Sequence, residues 1–295
     1  MQVTRREAAA GIAGAILAGI PAVSEGRGMK NPFFAMDTCT KPRYPHSDTS
    51  IAAQLDLVKE LGYAGLSWTE GDPVELRQAV EEARKRGLRI WAHYAGVVLE
   101  QDRLAWPARL LEEMDALRGH NAIVWLHVGG TAHPRGAAEG ERVAAAGLRL
   151  LANEARVRRL RLALYPHAGD WLESTHNALR ILRAVDRPEV GLSFNLCHAL
   201  RVEGDSWIHR RLEDAGSRLF VVTLNGADAG TVNAGWDRLI QPLDSGTYDV
   251  AALLRTLRRI RFRGPIGLQG YGIPGDVRAN LARSMAAWRR LSAAV

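Results

Sequence analysis

From residue 31 onward, two patterns of apolar residues alternate along the chain. One pattern is a short continuous apolar run, and it occurs at Phe33 to Met36, Ala64 to Trp68, Leu88 to His93, Ala122 to Val128, Leu160 to Leu164, Val190 to Phe194, Leu219 to Leu224 and Ile266 to Leu268. The other places apolar residues at helical spacing, as in Ile51, Leu55, Val58 and Leu61. Short buried strands that alternate with amphipathic helices are typical of parallel βαβ units. The pattern therefore predicts eight parallel strands, each followed by a helix.

Eight strand–helix units predict an α/β fold of the (β/α)8 TIM-barrel type, whose usual length is about 250 residues. The competing arrangement, an open doubly wound sheet, carries a glycine-rich phosphate loop after an early strand. The first strand is instead followed by the stretch DTCTKP, Asp37 to Pro42. No linker, internal repeat or low-complexity segment divides the chain. We therefore expect a single barrel domain over residues 31–295.

The first 24 residues have the arrangement of a twin-arginine export signal. Thr4-Arg5-Arg6-Glu7 precedes the apolar run Gly11 to Ile20 and the small residues Pro21 to Ser24. The apolar run is too short to cross a bilayer, which takes about 20 residues. We expect residues 1–24 to be a signal peptide and the mature protein to be periplasmic or otherwise exported, without stable membrane insertion. The alternative is a frayed N-terminal helix.

Composition and charge limit the partners that this chain can have. It has 47% hydrophobic and 24% charged residues, a globular composition, and a formal net charge of +7. Two arginine-rich stretches, residues 156–161 and 255–263, have the charge of a nucleic-acid surface. They fall on amphipathic helices or just before strands and lack interleaved aromatic residues, so we interpret them as solvated helix faces and expect no nucleic-acid partner. Cys39 and Cys197 form neither a disulfide framework nor a CxxC zinc pattern, and whether they pair is left open.

Polar side chains concentrate at the carboxyl ends of the predicted strands, where TIM barrels build their active sites. In chain order these ends read Asp37, Trp68-Thr69-Glu70, His93-Tyr94, His127, Tyr165-Pro166-His167, Asn195-Leu196-Cys197-His198, Thr223-Leu224-Asn225 and Gln269-Gly270-Tyr271. Four of the nine histidines fall at four consecutive strand ends, at positions 93, 127, 167 and 198. A single histidine on an apolar strand is commonly a hydrogen-bonded core residue, but four together indicate a functional site. Cys197 is interpreted as a small buried apolar residue.

Four stretches in this order along the strands, LALYPHAGDWLE, VGLSFNLCH, VVTLNGAD and GPIGLQGYGIPGD, resemble a secreted bacterial branch of the xylose isomerase-like family. This (β/α)8 family contains sugar isomerases and epimerases and also an apurinic endonuclease branch. Its members usually bind one divalent metal through Glu, Asp, His and Glu at the ends of strands 5 to 8. The positions that correspond in this chain hold Tyr165, Asn195, Thr223 and Gln269, so every usual ligand is replaced. Only His198, whose family counterpart contacts the substrate, matches directly.

Our first hypothesis is a sugar isomerase or epimerase assisted by a transition metal that imidazole and amide groups hold. Imidazole and amide groups suit Zn, Mn, Fe or Ni better than Mg²⁺ or Ca²⁺. The predicted metal ligands are His167, His198, Gln269 and His127. Such an ion polarises a sugar carbonyl, and His93 or Tyr165 then transfers the proton beside it, with His198 as a further catalytic group.

Substrate binding is predicted for Asn195, Asn225, Gln269, Trp68 and Tyr271, and Trp171, Trp207 and Trp236 are further candidates for stacking on a sugar ring. Export favours a non-phosphorylated sugar or keto-glycoside over a sugar phosphate. Proton abstraction beside its carbonyl leads to isomerisation or epimerisation, or to elimination or hydration as in a keto-sugar lyase or hydratase.

Two further hypotheses come from the replaced ligands. In the first, the scaffold has lost its metal and has become a carbohydrate-binding protein. A sugar-binding pocket, however, does not need four strand-end histidines. In the second, the protein belongs to the endonuclease branch of the family. That branch needs several carboxylates for its metal cluster, and the strand ends offer only Asp37 and Glu70.

Overall fold

The computed structural model describes residues 28–41, 50–69 and 72–295. The predicted signal peptide and Glu70 lie outside these residues. The strands are β1 (Phe33–Ala35), β2 (Gly65–Trp68), β3 (Arg89–Leu99), β4 (Leu104–Ala105), β5 (Ile123–Gly129), β6 (Arg161–Leu164), β7 (Val190–Asn195), β8 (Leu219–Leu224) and β9 (Ile266–Leu268). All of them except β4 are parallel neighbours in chain order, and β9 pairs with β1 to close the barrel. The short β4 adds an antiparallel pairing to β3. The predicted eight-stranded barrel is confirmed.

Helices surround the barrel on its outer side. They are α1 (Ile51–Leu61), α2 (Pro73–Lys85), α3 (Arg109–Ala116), α4 (Ala138–Arg158), α5 (Thr175–Val185), α6 (Leu196–Val202), α7 (Ile208–Ala215), α8 (Trp236–Leu239), α9 (Val250–Arg259) and α10 (Val277–Ala293). Short polar side chains at Ser50, Asp72, Ser174, Asp249 and Asp276 accept hydrogen bonds from backbone N–H groups of the first helical turn. Each such cap stabilises a helix by about 1 kcal/mol. Among the residues described, no helix is both long and apolar enough to cross a membrane.

The core has two layers. The larger layer lies between the strands and the helices. The inner layer fills the barrel and includes Phe34, Trp125, Tyr165 and Phe220. Trp125 is fully buried there. Because side chains fill the interior, a ligand can reach only the two ends of the barrel.

Strand β3 is longer than the apolar run that predicted it. It continues to Leu99 because it pairs with β5 as far as Gly129 and with β4 beyond that point. His93 therefore lies in the middle of a strand, opposite Val124 of β5 and Trp68 of β2, and not at a strand end as predicted.

Candidate functional site

A cavity of about 370 Å³ opens over the carboxyl ends of the barrel strands. Its polar lining consists of Thr38, Thr69, Tyr165, His167, His198 and Gln269. Tyr94, Trp236 and Tyr271 form aromatic walls. None of the described residues that line it is an Asp, Glu, Lys or Arg. We call it the mouth cavity, and its walls suit a neutral, polar ligand.

Tyr165 forms the floor of the mouth cavity at the end of β6, and Asn195 lies beneath it at the end of the neighbouring β7. The side-chain amide of Asn195 donates a hydrogen bond to Tyr165 Oη, and Cys197 Sγ donates to Asn195 Oδ1 at 3.0 Å. Burial raises the pKa of Tyr165 well above its ordinary value. The phenol therefore keeps its proton near neutral pH and acts as a hydrogen-bond donor. Asn195 is buried beneath Tyr165, so it affects the cavity through its hydrogen bond to Tyr165.

The two cysteines are free thiols in the structure, which answers the question of their pairing. Cys197 is fully buried, as predicted, and burial raises its thiol pKa. Its role is structural, because it holds the amide of Asn195.

Gln269 lines the cavity at the end of β9, but its carbonyl oxygen faces its own loop. Gln269 Oε1 accepts hydrogen bonds from the backbone N–H groups of Gly270 and Tyr271 at 2.9 and 3.0 Å, and from Thr38 Oγ1 at 3.2 Å. This oxygen fixes the turn that presents Tyr271, whose side chain is exposed at the rim. Only the amide N–H₂ of Gln269 remains for a ligand.

His198 begins the short helix α6 and has one defined tautomer. The backbone N–H of Ala168 donates to His198 Nδ1 at 3.2 Å, so Nδ1 carries no proton. Burial lowers the pKa of His198 well below its ordinary value, and the nearby His167 and Arg201 lower it further. A neutral ring with an unprotonated Nδ1 carries its proton on Nε2. His198 is therefore a neutral hydrogen-bond donor.

His167 lies beside His198, with ring centroids 4.3 Å apart. Its Nδ1 is buried without a hydrogen-bond partner among the described residues, and Asp170 Oδ1 is 3.8 Å away. Burial lowers the pKa of His167, while the charge of Asp170 raises it in part. A neutral ring with its proton on Nδ1 directs that proton towards Asp170 and leaves the Nε2 lone pair for the cavity. His167 is placed to act as a base.

Asp170 is the functional residue that the sequence analysis missed. It lies in the loop after β6, and its Oδ2 accepts a hydrogen bond of 2.7 Å from His127 Nδ1. The ring of His127 stacks on Tyr94, with centroids 4.6 Å apart and planes 3° apart. Asp170 thus faces two histidines, His127 and His167. Its only signal in the sequence was its place in the stretch LALYPHAGDWLE.

Besides Asn195 and His127, three predicted site residues do not line the mouth cavity. His93 is buried, with Nδ1 3.1 Å from the carbonyl oxygen of Trp68 and Nε2 3.2 Å from Glu113 Oε2. Trp68 is fully buried in the core between strands and helices and cannot stack on a ligand. Asn225 is also fully buried, and its amide donates to the carbonyl oxygens of Gly226 and Leu239. Trp68 and Asn225 are therefore committed to the core and to a loop, which corrects their predicted roles. His93 lines a neighbouring cavity of about 540 Å³ together with Tyr94, Glu113 and His127.

Of the remaining tryptophans, only Trp236 lines the mouth cavity. It packs edge-on against His198 at 5.3 Å, and the guanidinium of Arg201 lies 4.6 Å from its ring centroid. Trp171 is buried and donates to the carbonyl oxygen of Pro134. Trp207 is exposed on the surface.

The predicted metal ligands do not fit a metal ion in this arrangement. Gln269 Oε1 already accepts three hydrogen bonds, and His198 presents a proton instead of a lone pair. His127 is held by Asp170 and stacked on Tyr94, outside the mouth cavity. Within residues 28–41, 50–69 and 72–295, no group of three or more His, Cys, Asp or Glu side chains is placed to hold a metal ion.

Several solved structures share the fold of this chain. The 3-keto-D-glucoside 4-epimerase from E. coli is 19% identical, with 88% of this chain and 99% of that chain covered and a TM-score of 0.65. The D-allulose 3-epimerase from Methylomonas sp. in complex with D-allulose is 16% identical, with 89% of this chain and 99% of that chain covered and a TM-score of 0.69. The IolI protein with a bound zinc atom is also 16% identical, with 88% of this chain and 96% of that chain covered and a TM-score of 0.68.

Another similar structure is a fusion of a xylose isomerase-like TIM barrel with a 4-hydroxyphenylpyruvate dioxygenase, and this chain spans 43% of its length. No curated protein sequence matched the chain. At these levels of identity the structures establish the fold. The family model described as xylose isomerase-like TIM barrel matches residues 55–291, most of the chain, and the protein therefore belongs to the xylose isomerase-like TIM barrel family.

Proposed function

We propose that this protein is an enzyme that moves a proton on the carbon beside the carbonyl group of a non-phosphorylated keto sugar or keto-glycoside. The pair of neutral imidazoles in the mouth cavity carries this proposal. His198 presents an N–H donor, and we assign His167 the tautomer with its proton on Nδ1, 3.8 Å from Asp170 Oδ1, and a lone pair on Nε2. The two ring centroids are 4.3 Å apart. A donor beside a base is what enolisation of a ketone requires.

In the proposed reaction, His167 Nε2 takes the proton from the carbon next to the carbonyl. The electrons of that C–H bond move to the carbonyl oxygen, and the N–H of His198 stabilises the charge that develops there. A neutral imidazole in this role is preorganised and needs no proton from solvent. Return of the proton to the former carbonyl carbon, while the hydroxyl proton of the first carbon passes to the oxygen of the second, gives an isomer. Delivery of a proton from water to the opposite face of the first carbon, with release of the abstracted proton from His167 to solvent, gives an epimer. Departure of a substituent on the next carbon gives elimination.

The charge of the mouth cavity supports a neutral substrate. Its described lining holds no cationic side chain, and a sugar phosphate would need one to balance its negative charge. The names of the structural relatives agree with the reaction class. A 3-keto-glucoside 4-epimerase and an allulose 3-epimerase both act at a carbon that adjoins a ketone.

Solvent exchange tests the proposal directly. The protein is incubated with D-allulose or a 3-keto-glucoside in D₂O, and ¹H NMR follows loss of the signal of the proton beside the carbonyl. We expect exchange with the wild type and a loss of about 100-fold or more in His167→Gln. His176→Gln, a change at an exposed histidine of α5, is the control and should retain full exchange. Absence of exchange with every keto sugar tried contradicts the proposal.

A second candidate, a carbohydrate-binding protein, is favoured by the neutral donors and aromatic walls of the cavity. Tyr165, Gln269 and Trp236 are groups that sugar-binding sites commonly use. The same samples separate the two functions. Saturable binding of a sugar without any exchange or product identifies a binding protein.

We also propose that the protein is exported, because Arg5 and Arg6 precede a short apolar run. Fractionation of cells that express the full chain tests this. Arg5→Lys combined with Arg6→Lys should retain the protein in the cytoplasm.

A further inference from the structure

The opposite, N-terminal end of the barrel holds a second cavity of about 690 Å³. Four arginines line it: Arg89, Arg161, Arg261 and Arg263. Arg89 and Arg161 begin the strands β3 and β6, and the other two follow α9. None of its described lining residues is acidic. An adjoining cavity of about 490 Å³ shares Arg261 and Arg263 and adds Lys30 and Arg258.

None of these four guanidinium groups has a carboxylate partner in the described part of the chain, although many other arginines of this protein do. Arg86, Arg158 and Arg211, for example, each pair with nearby acidic side chains. The sequence suggested that the arginine-rich stretches were solvated helix faces. Arg161, Arg261 and Arg263 are indeed exposed, and the fold brings these three residues from the two stretches together at one cavity.

Aromatic rings hold two of the guanidinium groups in place. Arg89 lies 4.1 Å from the ring centroid of Trp91 and donates to the carbonyl oxygens of His120 and Asn121. Arg161 lies 4.8 Å from the ring centroid of Phe220 and has no hydrogen bond to another described residue. Its five N–H donors are therefore free to face the cavity.

Arg89 is partly buried, and Arg161, Arg261 and Arg263 are exposed in the open cavity, so water screens part of the repulsion between the four like charges. Burial lowers the pKa of both Arg89 and Arg161, and the charge of Arg89 lowers that of Arg161 further. Arg261 also has a left-handed backbone, with φ of 56°, where glycine is favoured over a side-chain-bearing residue. Like charges and a strained position that collect at one cavity are features of ligand sites.

We propose that the N-terminal cavity is a binding site for a multivalent oxyanion, either a phosphate-bearing molecule or a polycarboxylate. Guanidinium groups bind the oxygens of both classes in a bidentate way, and an anion would relieve the repulsion between Arg89 and Arg161. The cavity lies at the other end of the barrel from His167 and His198. This site is therefore independent of the proposed reaction.

Calorimetric titration of the full-length protein with pyrophosphate and with citrate tests the site, with sodium chloride at equal ionic strength as the reference. We expect saturable 1:1 binding of at least one of the two anions. At a concentration about 100-fold above the dissociation constant, that anion should raise the thermal midpoint by about 5 °C. The anion that binds more tightly shows which source the site prefers. Binding of either one supports the proposal.

Arg161→Gln should weaken this binding by about tenfold or more, the factor expected from loss of a charge-assisted hydrogen bond. Without anion, its thermal midpoint should equal or exceed that of the wild type, because a like charge is removed. A purely structural arginine predicts the reverse. Arg263→Gln, on an exposed loop, should also weaken binding and gives an independent readout.

Arg142→Gln is the matched control, because it removes the same charge at an exposed arginine that pairs with Glu139. It should bind the anion as the wild type does. The proposal fails if neither anion binds more tightly than chloride, or if Arg161→Gln and Arg142→Gln bind equally well.

Discussion

Asp170 accepts a hydrogen bond of 2.7 Å from His127 Nδ1, and its other oxygen lies 3.8 Å from His167 Nδ1. One carboxylate therefore influences both histidines. Its charge raises the pKa of His167 against the lowering effect of burial. This places the basicity of the proposed catalytic base under the control of a residue that lies outside the mouth cavity lining.

Asp170→Asn should lower the pKa of His167 further. The acid limb of the pH dependence of kcat/KM should then move to lower pH, because the neutral form persists there. The plateau rate should fall by about tenfold or more, since a weaker base accepts the proton less readily. A kcat/KM profile from about pH 5 to about pH 8 measures both effects.

Glu173→Gln is the control for Asp170→Asn, because it removes a carboxylate from the same loop. Glu173 accepts a hydrogen bond from the backbone of Gly169 and does not contact either histidine. Its acid limb should coincide with that of the wild type. A profile that is unchanged in Asp170→Asn would argue against His167 as the base.

Stability towards acid follows from the same histidines. Burial lowers the pKa of both His167 and His198 in the folded protein, whereas the unfolded chain titrates near pH 6.5. Below that pH the unfolded state binds more protons, so stability is complete above about pH 6.5 and falls as the pH drops towards the folded pKa values. The buried His198 contributes a slope of up to about 1.4 kcal/mol per pH unit in that window, and the partly exposed His167 contributes less because solvent screens it.

Urea unfolding of the wild type at about pH 7.5 and about pH 5 should reveal this loss. His198→Gln removes one titrating group and can still accept the hydrogen bond from Ala168, so its loss between the two pH values should be smaller. His176→Gln, at an exposed position, should show the wild-type difference. Equal losses in all three proteins would mean that His198 does not titrate as the structure indicates.

Gly96 leaves room for the ring of His127. A Cβ added at Gly96 would lie 2.6 Å from His127 Nε2, and that ring is held by both Asp170 and Tyr94. Gly96→Ala should therefore push His127 off Tyr94 and destabilise the protein by about 1–3 kcal/mol. Gly129→Ala is the matched control on the paired strand, because its nearest atom would be Val97 O at 4.0 Å.

Thermal unfolding and the D₂O exchange assay measure the two variants side by side. We expect Gly129→Ala to match the wild type in both. A Gly96→Ala protein with wild-type stability would show that the ring of His127 is free to move.

Two tryptophans allow a matched test of stacking on the sugar. Arginines lie over both rings, Arg201 over Trp236 and Arg211 over Trp207, but only Trp236 reaches the mouth cavity. Trp236→Leu should raise KM by about tenfold, as expected for loss of an aromatic contact of about 1.5 kcal/mol. Trp207→Leu should leave KM unchanged. Similar KM values for the two variants would remove Trp236 from the binding site.

The barrel was predictable from sequence because eight apolar runs and the helices between them have distinct periods. The choice of side chains at the strand ends was harder. Along β3, His93 and Tyr94 are adjacent, and successive side chains of a strand point to opposite faces. The pleat turns Tyr94 into the mouth and His93 into the wall, so an offset of one residue exchanges their roles.

The positions of loop residues cannot be predicted from apolar periodicity or strand alternation. Asp170 meets His127 across 43 positions of the chain, through a loop whose conformation depends on packing against β5. Gln269 was correctly placed at the cavity, but its oxygen faces its own turn. The direction in which such a side chain makes its hydrogen bonds depends on the three-dimensional arrangement of the loop and not on the residue type.

Asn195 occupies the position where the family usually has an aspartate, and its substitution tests how far the site has moved from metal binding. In Asn195→Asp, Tyr165 can turn its O–H towards the carboxylate, but the charge stays buried and Cys197 remains its only other partner. We expect a destabilisation of about 1–3 kcal/mol that is larger at about pH 8 than at about pH 5, since protonation relieves the buried charge.

Asn225→Asp is the comparison for this variant. Asn225 donates to two backbone carbonyls, and a carboxylate would lose both hydrogen bonds and repel both oxygens. It should be destabilised more strongly than Asn195→Asp. Thermal unfolding at both pH values, with and without Mn²⁺, measures these differences. Because the wild-type donors do not fit a metal, Mn²⁺ should leave the thermal midpoint of the wild type unchanged. In the double variant Asn195→Asp, Gln269→Glu, two carboxylates return to the cavity floor, and Mn²⁺ should raise its thermal midpoint. A wild-type midpoint that rises with Mn²⁺ would show that neutral donors suffice for a metal in this barrel.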